Sequence, residues 1–196
     1  MSQVGDTFMQ FPDPDKTSPE EFELTIKRWF ESFSETLDSF ETEHRQKMSG
    51  TDGEFEIDVS VRFTAFGGAT FLVICECKKH RNPIKREIVQ VLNDRKRSVG
   101  AQKAILVSTA KFQSGAETYA SKHGIALIQL VSGALRYIQA SADKTAPTIP
   151  ENADPYAGLF SFKDDNGRKL LGVVTSDFTS FLEDFLKTRS SPDAET

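Results

Sequence analysis

Three residues of this 196-residue chain stand out for the chemistry they could do: Asp58, Glu76 and Lys78. Glu76 and Lys78 close the run Phe71-Leu72-Val73-Ile74-Cys75, which reads as a buried strand. Two-residue spacing in a strand puts both side chains on one face, about 6–7 Å apart. Burying charge is costly unless it is paired or binds an ion, so an acid and a lysine emerging from an apolar strand need a partner. Asp58 lies on the polar face of the preceding strand, and a hairpin brings it close to Glu76. Two adjacent carboxylates repel, and a divalent cation relieves the repulsion. Oxygen ligands select a hard ion, Mg²⁺ or Mn²⁺. Such an ion lowers the pKa of a water and stabilises charge on a phosphate, and a neighbouring lysine orients or helps deprotonate that water. The same spacing also suits an ordinary cross-strand ion pair on a solvated sheet face. A Glu-x-Lys triplet alone does not decide between the two.

The elements that must position these residues follow from patterning. Residues 1–17 are polar and proline-containing and read as a mobile arm. Ser18-Pro19-Glu20-Glu21 reads as a helix start, with Ser at the N-cap, Pro first in the helix and Glu at N3. Phe22, Ile26, Trp29, Phe30, Phe33, Leu37 and Phe40 then recur at helical spacing, which predicts one long or kinked helix ending before Ser49-Gly50. Phe55, Ile57, Val59, Val61 and Phe63 alternate with Glu54, Glu56, Asp58, Ser60 and Arg62, a strand with one apolar face. Gly67-Gly68 turns it into the strand that ends at Lys78.

Asn82-Pro83 opens a helix to about Ser98, with Ile88, Val91 and Leu92 as its apolar stripe and Gly100 closing it. Ala104–Ser108 and Ile125–Leu130 are short apolar strands around a helix over residues 114–123. That succession implies a parallel crossover and an α/β core in which a hairpin feeds a mixed sheet. Residues 141–155 carry three prolines and read as a linker. Beyond it, Leu159–Phe162 and Leu170–Val174 flank Asn166-Gly167, a hairpin signal, and a helix follows from about Asp177 to Lys187. The predicted organisation is an arm, a core over 18–140, the linker, and a hairpin-plus-helix extension over 156–196.

The formal net charge of −5 hides an uneven distribution. Residues 1–60 hold 5 basic and 15 acidic side chains, a balance of −10, whereas residues 61–103 hold 10 and 3, a balance of +7. A local basic patch can bind a polyanion even on an acidic protein. No apolar run is long enough to span a membrane, and the N-terminus does not read as a secretory signal. Cys75 and Cys77, two apart in a strand, are badly placed to pair with each other. A reduced cytoplasm is therefore expected.

Taken together, these motifs resemble the Mrr-like branch of the PD-(D/E)xK nuclease superfamily. The matching stretches are Ser18–Glu23, Gly53–Val59 and Cys75-Glu76-Cys77-Lys78-Lys79, followed in order by Val89-Gln90, Ala104–Thr109 with Phe112, and Ala120–Ile128. The resemblance implies a restriction-endonuclease-like α/β core, with a mixed central sheet flanked by helices. It implies that Asp58 and Glu76 bind Mg²⁺ or Mn²⁺, with the Cys77 carbonyl completing the shell. Lys78 would position the attacking water. Glu23, or less favourably Glu21, would be the helix glutamate near the metal, and Gln90 matches a glutamine often found on the helix after the Glu-x-Lys strand. Lys79, Arg81, Lys85 and Arg86 would hold the nucleic-acid backbone.

The expected activity is a metal-dependent DNA endonuclease of restriction or anti-phage defence, acting as a homodimer, because cutting both strands needs two sites. The alternatives are a non-cleaving binding or assembly subunit, a nuclease for RNA or branched DNA, and an effector activated by a sensor protein. Mrr proteins often carry a separate DNA-recognition domain, and none of obvious size precedes residue 18.

Other candidates carry less. Cys75, Cys77 and His80 lack the fourth ligand of a structural zinc site and read better as buried thiols. His44, just before the strand that carries Asp58, could reach the site but reads better as a solvated helix-end histidine, and His123 suits the end of its helix. Ser108, Thr109 and Ser114 have no histidine and acid at triad spacing, and no phosphate-binding G-x-x-x-x-G-K-[ST] loop exists.

Overall fold

The computed structural model of the protein describes residues 16–31, 38–65, 68–132, 156–163 and 169–174. Helix α1 (Pro19–Glu31) opens as its sequence requires. The Glu21 amide donates to Ser18 Oγ at 3.1 Å, and the Ser18 amide donates to a Glu21 carboxylate oxygen at 2.6 Å. This reciprocal box satisfies two amides that the helix itself cannot. Phe22, Ile26, Trp29 and Phe30 form the buried stripe.

The expected long helix is not formed. Asp38–Ser49 is strand β1 instead, and the predicted stripe residues Phe33 and Leu37 lie outside the described residues. Its Glu, Arg, Gln and Lys residues favour helix, but tertiary context overrides them. Phe40, Thr42, His44, Gln46 and Met48 are covered, while the residues between them are exposed. The strand lies at the sheet edge, where charged side chains discourage pairing with another chain.

Strand β2 (Glu54–Ala65) pairs antiparallel with β1 and with β3 (Ala69–Lys78). Helix α2 (Arg86–Ser98) leads to β4 (Lys103–Ser108), and helix α3 (Ser114–Lys122) leads to β5 (Ile125–Ser132). Both β3–β4 and β4–β5 are parallel, so the expected crossover units are present. Helix α2 starts at Arg86 rather than at Asn82-Pro83. The Ile84 amide and carbonyl are held at 2.8 and 3.0 Å by Lys111 and Gln113, which keeps that residue extended. Of the expected apolar stripe, Leu92 is buried and Ile88 packs partly buried against the core, but Val91 is 51% exposed and Val89 takes its place.

Strands β6 (Tyr156–Lys163) and β7 (Lys169–Val174) form the expected hairpin. It continues the main sheet, because β6 pairs antiparallel with β5. Among the described residues the sheet has seven strands in the order β1 to β7. The linker over 141–155 lies outside the described residues, and so does the helix expected over 177–187.

Two apolar layers enclose the sheet. Phe22, Ile26, Trp29 and Phe30 of α1 pack on Val59, Val61, Phe63, Val73, Cys75 and Ile105. On the other face, Val89 and Leu92 of α2 and Ala116 and Ala120 of α3 pack on Ile74, Ala104, Leu106 and Leu127. Every residue of β4 is buried, as expected for a parallel strand covered on both faces. Each large aliphatic side chain sealed this way contributes roughly 1.5–3 kcal/mol of transfer free energy. The resulting sheet is a firm base for residues at its strand ends.

Candidate active site

The β2–β3 ladder runs from Ala65–Ala69 to Val59–Cys75 and stops there. The next pair would be Asp58 with Glu76. Instead, the Cys77 amide donates to Asp58 Oδ2 at 2.7 Å, so a side chain takes the place of the missing ladder bond. On the opposite side of β2, Arg45 stands across from Asp58 without pairing and has φ +51°. A left-handed conformation is unfavourable for a side-chain-bearing residue in a strand.

Its consequence is visible in the packing. Val59, Val61 and Phe63 face α1, whereas Ile57, of the same parity, packs in the α2 layer. On β1, His44 reaches α1, while Met48 packs in the α2 layer. Both strands change face at Arg45 and Asp58. The aspartate therefore projects from a rotation point, where the ladder opens.

Glu76 follows Ile74 on the face that packs against α2 and is only 8% exposed. Both its oxygens are held by cations: Lys78 Nζ lies 2.5 Å from Oε1, and Arg95 of α2 donates to Oε2 at 2.6 Å. Asp58 feels the same group of charges. Burial raises its pKa from 3.8 to about 6, the negative charges of Glu76 and Glu23 push in the same direction, and the Cys77 amide and Lys78 oppose them. Asp58, Glu76, Lys78 and Glu23 thus share one electrostatic environment. Burial also pushes the Cys77 thiol well up, which suits an inert core thiol; both cysteines are free and buried, as the sequence suggested.

The two candidate helix glutamates have separate jobs. Glu21 is spent on the N-terminal box. Glu23 approaches from the α1 face, where His44 Nε2 lies 2.8 Å and Arg45 Nε 2.9 Å from its Oε2. His44 is therefore a half-buried strand residue on Glu23, not a solvated helix end. His44 was weighed in the sequence and set aside, whereas Arg45 and Arg95 are neighbours of the candidate residues that sequence reasoning missed. The signal for His44 was the two-residue alternation from Phe40 to Met48, obscured by helix-favouring side chains. Nothing local in the sequence marks Arg95, because its partner is nineteen residues away.

The remaining candidates are dispersed. Gln90 is half-buried on α2, and among the described residues no hydrogen bond joins it to Asp58, Glu76 or Lys78. Lys79 donates to the Thr17 carbonyl, which ties the end of β3 to the start of α1. Arg81, Lys85 and Arg86 are exposed, and Arg86 lies over the Tyr119 ring at 5.2 Å.

Among the described residues no three His, Cys, Asp or Glu side chains are gathered tightly enough to form a metal site by themselves. The residues that could offer oxygen donors to a hard cation are Asp58 and Glu76, with the Cys77 main-chain carbonyl beside them in sequence. Their chemistry fits Mg²⁺ or Mn²⁺: oxygen donors, with one carboxyl held up to about 6 by burial and a like charge that a cation would offset. Among the described residues no helix is long and apolar enough to cross a membrane.

A family model described as a restriction endonuclease, of the Mrr catalytic type, matches residues 14–134. Two solved structures are similar over 55% of this chain. One is a crystal structure of AF1548, titled a protein of unknown function, at 25% identity and a TM-score of 0.44 over 55% of that chain. The other is MspJI restriction endonuclease in complex with a 27-mer oligonucleotide, at 19% identity and a TM-score of 0.39 over 25% of that chain. The match thus spans about half of one relative's length and a quarter of the other's. No curated protein matches the chain.

Proposed function

We propose, from the premise that this chain belongs to the Mrr-type restriction endonuclease family, that it is a metal-dependent endonuclease hydrolysing DNA phosphodiester bonds. One observation carries this reading. At the point where the β2–β3 ladder opens, Asp58 is held near pKa 6 by burial and by Glu76, with Lys78 beside them. A purely structural ion pair has no need for a second, uncompensated carboxyl at this place.

Asp58, Glu76 and the Cys77 carbonyl would hold the cation. When bound, Mg²⁺ or Mn²⁺ would polarise a phosphodiester and make a water more acidic. Lys78 orients the attacking water through its ammonium group, fixed next to Glu76 by strand geometry. Asp58 is oriented by the Cys77 amide, which takes only its Oδ2. Arg81, Lys85 and Arg86, exposed at and before the start of α2, hold the strand by its phosphates, which makes binding salt-dependent and insensitive to base sequence. Lys79, committed to Thr17, supports α1 rather than the strand. A role in restriction or anti-phage defence, action as a homodimer, and placement in the cytoplasm belong to the same reading.

The test is supercoiled-plasmid digestion with Mg²⁺ or Mn²⁺, the wild type beside Asp58→Ala and Lys78→Ala. The wild type should nick, and each variant should lose at least about a hundredfold in rate, as expected for a group acting on the reacting atoms. Equal nicking by all three proteins would overturn the reading.

A further inference from the structure

Glu76 is a poor cation ligand as it stands, because both oxygens are already taken. Lys78 stays beside it by strand spacing. Arg95 is different. It reaches across from α2, its guanidinium bonds Oε2 at 2.6 Å, and its side chain is 29% exposed. It also lies in the last turn of α2, which is basic at Arg95, Lys96 and Arg97. A guanidinium that meets a carboxylate on one side and solvent on the other can exchange that carboxylate for a phosphate with the same fork of donors.

We propose that Arg95 is a transferable latch: it occupies Glu76 in the free protein and moves to a phosphate of the bound strand, so that strand binding frees Glu76 for the cation. This rests on the nuclease reading and deepens it. Arg95 is a positioning residue here, acting through Glu76 when the strand is absent. Glu76 is nearly buried, so without Arg95 it would keep only one counter-charge, and it would be free for a cation a larger fraction of the time. Apparent affinity falls in proportion to the fraction of time a site is competent. Coupling between two ligands is reciprocal, so a cation should tighten strand binding by the same factor as the strand tightens cation binding.

The experiment uses the full chain. Mn²⁺ affinity is measured by calorimetry without nucleic acid for the wild type, Arg95→Gln and Arg95→Lys. Duplex affinity is measured by fluorescence anisotropy with and without Ca²⁺. Arg95→Gln should bind Mn²⁺ about tenfold more tightly than the wild type, with Arg95→Lys between them. Ca²⁺ should tighten duplex binding by the wild type, and by a smaller factor in Arg95→Gln, which keeps only the direct contact of the cation with a phosphate. Thermal unfolding of each variant confirms that a folded protein is compared. Equal or weaker Mn²⁺ binding by folded Arg95→Gln overturns the latch, and so does a cation dependence of duplex binding that the substitution leaves undiminished. If the wild type nicks plasmid and either of those two results appears, only the latch fails. If the wild type neither nicks nor takes up Mn²⁺ with duplex present, the nuclease reading fails and the latch with it.

Discussion

Replacing Asp58 by Asn should make the metal-free protein more stable while abolishing nicking. The Asp58 carboxyl titrates at about 6 in the fold against an ordinary 3.8, mainly because it is buried and also because Glu76 repels it. The folded state therefore holds this proton more tightly than the unfolded state does. Stability contributed by the protonated form is full below pH 3.8, is lost as pH rises towards 6, and changes no further above that. A rise of about two units corresponds to about 3 kcal/mol at most. Asp58 is only half-buried, so solvent screening brings the expected value to about 2 kcal/mol.

The asparagine side chain mimics the neutral acid, and its carbonyl can still accept the Cys77 amide. Urea unfolding in a chelating buffer at several pH values measures the difference. The variant should be more stable by about 2 kcal/mol at about pH 7.5, and the gap should shrink to about half of that by about pH 4.5. Added Mg²⁺ should raise the stability of the wild type and leave the variant unchanged. A variant less stable than wild type near neutral pH, or a gap that does not vary with pH, would refute the reasoning.

Two further outcomes are expected. The triple change of Arg81, Lys85 and Arg86 to Gln should weaken duplex binding regardless of sequence and reduce the slope of log affinity against log salt by about 0.9 for each phosphate no longer neutralised; an unchanged slope places the strand elsewhere. Ser18→Ala should remove the hydroxyl of the α1 box and cost about 1 kcal/mol in urea unfolding, with an unchanged denaturant slope and undiminished nicking.

The parts of the molecule that could be read in advance are those governed by local rules. The α1 start, the β2 alternation, the buried β3 to β5 strands and their parallel connection all rest on periodicity, caps and glycine punctuation, which act within a few residues. The Asp58, Glu76 and Lys78 grouping was also legible, because hairpin pairing turns sequence spacing into spatial proximity. β1 was not, since its helix-favouring side chains serve an edge strand stabilised by neighbours that sequence does not display. The start of α2 was misplaced because Ile84 is held by residues 111 and 113, more than twenty-five positions away. The face change at Arg45 and Asp58, and the grip of Arg95 on Glu76, belong to the same class: they arise between elements and leave no local mark.

The order of strands across the sheet is the order in which a ribosome makes them. No strand must be threaded between two that have already joined. A nascent chain can extend one growing border, each newly made strand meeting the one synthesised just before it, which keeps pairing partners close in time. Asp58 and Glu76 come together once β3 docks, and Arg95 emerges with the very next helix. Glu76 thus receives both its counter-charges early in synthesis, long before the hairpin that widens the sheet has been translated.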